Sequence, residues 1–184
     1  MMKSYLLGLI LACCALSVSA MPINFAFDGG SASATGAVGI GSYTGYSGSA
    51  SLDDGESANF TFGNAAFVGY GDGELSIGVN FISPIFGEES VTGAYEIWSL
   101  GFIAGGKFAG GSTIFDYIAG DYVGSAELTL DPFDVKMQCG ACFNFDGKIT
   151  NLGSVNTQEV PEPLSAAFLG LGLLAFGLTR RQRR

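Results

Sequence analysis

Leu75-Ser76-Ile77-Gly78-Val79-Asn80-Phe81 is the stretch on which the fold turns. Leu75, Ile77, Val79 and Phe81 are apolar, and Ser76, Gly78 and Asn80 between them are small or polar. A period of two puts the first set on one face of a strand and the second on the other, which is the pattern of a half-buried antiparallel strand. The pattern recurs. Asn59-Phe60-Thr61-Phe62 places Phe60 and Phe62 together, and Ala126-Glu127-Leu128-Thr129-Leu130 repeats the alternation. The segment 143–149 turns Phe143, Phe145 and Ile149 inward. Ile114 to Ile118 is a further short candidate, and Tyr95 to Ile103, which holds the only Trp, reads as a central strand apolar on both faces.

Turn signals separate these pieces: Asp53-Asp54-Gly55, Gly71-Asp72-Gly73, Ser83-Pro84, Gly105-Gly106, Gly110-Gly111, Asp131-Pro132 and Asp146-Gly147. Asp-Gly pairs supply the positive φ that tight hairpins need. No long amphipathic helical pattern occurs before residue 160. Seven to nine short strands at this spacing predict an all-β domain, a β-sandwich or jelly roll. The expected domain spans residues 21–150. Its first part, to about Gly55, is rich in Gly, Ser and Ala and promises loops and thin edge strands. Residues 151–159 are polar without apolar periodicity and read as a linker.

Glycine is 29 of 184 residues, and only 14% are charged. Between residues 21 and 159 there are 16 acidic residues against Lys107, Lys136 and Lys148, a balance of −13. Such a surface repels nucleic acid and anionic lipid and keeps the domain in solution.

The chain has no His, which removes His triads, His general bases and His metal ligands. Cys139 and Cys142 form the sharpest local pair. A redox pair wants a strand-to-helix context, and a four-cysteine zinc site wants two ligands beyond the cysteines of the first 20 residues. An intramolecular disulfide formed in an oxidising compartment is the plainer reading, a bond between two chains being the other. The acidic turns 53–56 and 71–74 hint at calcium without the EF-hand spacing, and no metal site or cofactor is expected. Glu88, Glu89, Glu96, Asp116 and Asp121 are conceivable glycosidase carboxylates, but no spacing selects a pair.

The two ends carry addresses. Lys3, an apolar stretch from Tyr5 to Leu16, and the small residues Val18 and Ala20 make residues 1–20 a signal peptide cleaved between Ala20 and Met21. At the other end stand Val160, Pro161, Glu162 and Pro163. An uncharged apolar run from Leu164 to Leu178 follows, through Phe168, Leu171 and Leu174, and then Arg180, Arg181, Arg183 and Arg184. Fifteen helical residues rise about 22 Å, short of a hydrocarbon core of about 30 Å. Arginines after such a run favour the cytoplasmic side. The span is therefore marginal, a handle more than a lasting anchor.

This tail, residues 160–184, resembles the PEP-CTERM sorting signal of bacterial exported proteins. The resemblance implies secretion, a brief hold in the inner membrane, and cutting near Pro161-Glu162-Pro163 by an exosortase, after signal peptidase has acted at the other end. It implies a surface or extracellular-matrix location beside exopolysaccharide. The resulting expectation is a non-enzymatic structural or adhesive protein, touching polysaccharide through Tyr43, Tyr46 and Tyr70. A secreted carboxylate-dependent hydrolase and a permanently anchored surface protein are the alternatives.

Overall fold

The computed structural model describes residues 21–100, 103–139 and 142–157. The expected signal peptide, residues 1–20 with Ala20, and the tail from Val160 to Arg184 lie outside the described residues.

Among the described residues every regular element is a strand: β1 Ile23–Gly36, β2 Gly39–Gly45, β3 Ser47–Leu52, β4 Ser57–Ser83, β5 Gly87–Leu100, β6 Ile103–Phe108, β7 Gly111–Ala119, β8 Tyr122–Leu130, β9 Phe133–Cys139 and β10 Cys142–Asn156. All pairings are antiparallel. The 27-residue β4 organises the rest. Its first half, to Val68, pairs with β2 and β10, and β10 leads on to β8 and β7. Its second half, from Gly69, pairs with β1 and β5, and β5 leads on to β6 and β9. One long strand thus belongs to two sheets, ordered β2-β4-β10-β8-β7 and β3-β1-β4-β5-β6-β9.

The transfer point is chemically marked. Gly69 has φ +103° and Gly71 φ +147°, backbone that residues with a Cβ rarely adopt. Gly69, Gly71 and Gly73 also occupy successive inward positions, and the chain from Thr35 to Val38 lies against them. A methyl group on Gly73 would collide with the Thr35 carbonyl oxygen, and one on Gly71 would press on Ala37. The bend and the close approach of β1 both depend on missing side chains.

The two sheets enclose one core, a sandwich-like arrangement. Leu75, Ile77, Val79 and Phe81 are all at most 1% exposed, as the alternation predicts. Aromatic contacts join the layers: Phe81 to Phe115 at 4.9 Å between ring centroids, Phe25 to Tyr117 at 5.3 Å, and Phe108 to Phe145 at 6.0 Å. Burying each such ring contributes about 1.5–3 kcal/mol, before any gain from edge-to-face geometry.

Several expectations need correction. Asn151 to Asn156 are not linker; they extend β10 and pair with β8. The reason is Asn151, a polar residue that is fully buried and hydrogen-bonded on all sides. Gly71-Asp72-Gly73 and Asp146-Gly147 are not turns but lie inside β4 and β10. The run from Tyr95 to Ile103 is two strands, and its two faces differ: Tyr95 and Ile97 are buried, while Glu96 is exposed and Trp98 only half-buried. The Gly/Ser/Ala-rich start forms true strands. Ser31, Ala32, Ser33, Ala34 and Thr35 alternate too, the alanines packing against the core and the hydroxyls facing out.

Candidate functional site

The outer face of the β1/β4/β5/β6/β9 sheet carries an aromatic row beside a charged row. Register puts Tyr70 opposite Trp98, and Trp98 opposite Gly105. Tyr70 is 75% exposed, and Gly105 leaves no side chain beside Trp98 on the β6 side. Two residues along, the next row is Asp72, Glu96, Lys107 and Asp134 across β4, β5, β6 and β9. All four are exposed. Neighbouring strands lie about 4.8 Å apart and alternate residues about 6.8 Å apart, so an aromatic row and a charged row run side by side within one sugar ring's width or two. Two adjoining hollows, of about 270 and about 580 Å³, share Glu96, Lys107 and Asp134 as lining. Trp98 borders the first, and Phe133 with Pro132 borders the second.

Such a surface presents two neighbouring aromatic side chains, three carboxylates that accept hydrogen bonds, and one ammonium that donates them. That set matches a pyranose, whose C–H face is apolar and whose rim is hydroxyl.

The three tyrosines named from sequence do not form one surface. Tyr70 joins Trp98. Tyr46 is 41% exposed, but its amide donates to the Phe62 carbonyl, some eight residues down β4 from Tyr70, or roughly 26 Å of extended chain. Tyr43 turns inward: it packs against the core and its hydroxyl is buried with no hydrogen-bond partner. Burial raises its pKa above the usual tyrosine value, helped by the Glu88 carboxylate.

The conceivable catalytic carboxylates are scattered. Glu88 accepts from the Ser31 hydroxyl, Asp116 accepts from Ser125 on the other sheet, and Asp121 sits in the β7–β8 turn. Glu96 alone reaches the site. The acidic turn 53–56 has a structural task. Glu56 Oε2 accepts from the Asp53 amide at 3.0 Å, and Asp54 Oδ1 accepts from the Ser154 amide and hydroxyl at 3.0 and 3.2 Å. Asn151 completes the clasp, donating to the Leu52 carbonyl and accepting from Tyr117 Oη at 2.7 Å and from the Gly153 amide at 3.1 Å. The Tyr117 pKa is raised, first by burial; hydrogen bonds with Ser154 and Asn151 oppose the rise and the Asp54 charge adds to it. Among the described residues no group of three or more His, Cys, Asp or Glu side chains gathers as metal ligands would. The Cys139 side chain lies outside the described residues; Cys142 opens β10 and is exposed.

Sequence reasoning overlooked Trp98, Asp72, Lys107 and Asp134 as one surface. The alternation Tyr95-Glu96-Ile97-Trp98 was the available signal, since the charge of Glu96 marks an outward face that Trp98, two residues on, shares. Comparison of the chain with protein-family models, with curated proteins and with solved structures gave no match.

Proposed function

We propose that this chain is an exported, non-enzymatic surface or extracellular-matrix protein whose β-sandwich, jelly-roll-like domain holds polysaccharide on the Tyr70–Trp98 face. The observation that carries this reading is the pairing of an exposed aromatic row with a row of hydrogen-bonding charges on an open sheet surface. An open face suits a long polymer, which passes through without ends, better than it suits a small substrate needing enclosure. The balance of −13 and the three carboxylates around Lys107 select neutral or amino-bearing sugars over uronate polymers.

The route to that location is read from the ends. Residues 1–20 bring signal peptidase to the Ala20–Met21 bond. Val160-Pro161-Glu162-Pro163 brings an exosortase, with the apolar run Leu164–Leu178 holding the inner membrane and Arg180 to Arg184 stopping it there. Cys139 and Cys142 close a disulfide after export. Intact mass of the protein from its native host tests the route: a chain starting at Met21 and ending near Pro163 supports it, and persistence of Leu164–Arg184 overturns it. Retention by the host's own exopolysaccharide tests the role. Loss of retention in Y70A and W98A is the expected result.

The hydrolase reading keeps one foothold, Glu96 and Asp134 on either side of Lys107. Polysaccharide turnover that E96Q or D134N abolishes would favour it and sink the non-enzymatic reading.

A further inference from the structure

Both ends of the described chain meet at one end of the sandwich. Met21 and Pro22 line a hollow together with Ser83, Pro84, Ile118 and Tyr122. Thr157, the last described residue, donates through its amide and its hydroxyl to the Asp121 carbonyl, one residue from Tyr122. This end also carries several of the most exposed apolar side chains of the domain. Phe86, in the β4–β5 turn, is 88% exposed, and Met21 is 62% exposed. Ile118, Val123 and Val155 are register neighbours across β7, β8 and β10, and all three face solvent, at 68%, 42% and 71%. Such an apolar row exposed at the end of a sheet calls for a covering partner.

We infer that this end of the domain, through Phe86, Met21, Ile118, Val123 and Val155, seats on a bilayer surface while the tail holds the membrane. The inference rests on the tail reading above. Only residues 158–163 separate Thr157 from the apolar run at Leu164. Seven residue steps span at most roughly 25 Å, so a tail in the bilayer keeps Val155 and its neighbours within that reach of the lipid. The apolar side chains then enter the interface and stay there at high effective concentration. The occupant is a zwitterionic lipid surface, because the domain's negative balance and the acidic turn 53–56 close to Val155 repel anionic headgroups. The geometry has a functional consequence. Phe86 and Trp98 stand at opposite ends of β5, twelve residues apart, or about 40 Å of strand. Seating on Phe86 points the polysaccharide face away from the membrane.

The test uses the chain from Met21 to Arg184, as signal peptidase would leave it, in phosphatidylcholine vesicles with brominated acyl chains. Flotation first reports whether the tail engages lipid. Fluorescence then reports docking, with native Trp98 as one probe and the indole introduced by F86W in a W98F background as the other. The expected result is flotation, loss of the position-86 emission to bromine, and unchanged Trp98 emission. Adding phosphatidylglycerol restores the position-86 emission, and I118S/V155S restores it without abolishing flotation. Flotation with unquenched emission at position 86 overturns the docking and leaves the tail reading intact. A blue-shifted emission at position 86 without lipid assigns the patch to a second copy or to the tail itself, and also overturns it. Failure to float overturns both.

Discussion

Tyr70 on β4 and Trp98 on β5 are direct register partners, and both leave the sheet on the side away from the core. The relationship depends on β4 changing sheets one residue earlier, at Gly69. Before that point its partners are β2 and β10; after it, β5 lies alongside and brings Trp98 into line. The candidate site is thus a product of the bend.

The bend itself is open to test. G69A places a Cβ at φ +103° and 3.2 Å from the Ala37 carbonyl oxygen. A residue held in such a conformation costs about 1–3 kcal/mol. Chemical denaturation should show that loss, with the midpoint lowered and the slope unchanged. An unchanged midpoint would mean that the bend does not need glycine.

The face and the fold should separate under mutation. W98A and Y70A remove exposed or half-exposed rings outside the core, so stability should change by no more than about 1 kcal/mol. Polysaccharide retention should fall in each and vanish in the double variant. Full retention by the double variant, with an unaltered melting curve, would place the ligand elsewhere.

The Asn151 clasp should behave as a buried network. N151A takes the acceptor from Tyr117 Oη and from the Gly153 amide and the side-chain donor from the Leu52 carbonyl, leaving Tyr117 only its hydrogen bond with Ser154. Each buried polar group left unsatisfied costs about 1–3 kcal/mol. Thermal unfolding should register this as a clear drop, and Y117F alone should cost less, because it removes a donor rather than stranding one.

Alkaline pH gives an independent reading of the same cluster. The Tyr117 and Tyr43 pKa values are raised on folding, so each folded hydroxyl keeps its proton where the unfolded one has lost it. Their contribution to stability is complete below the unfolded value of 10 and is lost as pH climbs through the folded values. Stability should therefore fall above about pH 10, and Y117F should flatten that fall. An identical alkaline slope in Y117F would remove Tyr117 from the account.

How much of this was legible in the sequence depends on what kind of signal each residue leaves. The inward faces of β4, β8 and β10 were visible because Leu75, Ile77, Val79, Phe81, Leu128, Leu130, Phe143 and Phe145 repeat at a period of two. The length of β4 was not, because Gly69, Gly71 and Gly73 look like turn punctuation, although here they permit close packing at inward positions. Asn151 hid the end of β10 for a similar reason: a buried polar residue has the same letter as an exposed one, and only its partners distinguish the two. Tyr43 and Tyr70 sit in similar glycine-rich company, yet one faces the core and the other solvent. The face uniting Asp72, Glu96, Lys107 and Asp134 comes from four strands, and register across four strands is not a local property of the chain.

The most direct test of the central claim uses an accident of composition. Trp98 is the only tryptophan in the chain, so intrinsic tryptophan emission reports on the proposed polysaccharide face and on nothing else. The full chain should be titrated with a neutral polysaccharide and, in parallel, with a uronate polymer. A saturable shift in Trp98 emission with the neutral polymer, absent with the uronate and lost in Y70A, is the predicted result. Emission that stays constant while the protein is retained by the same neutral polymer would contradict the account.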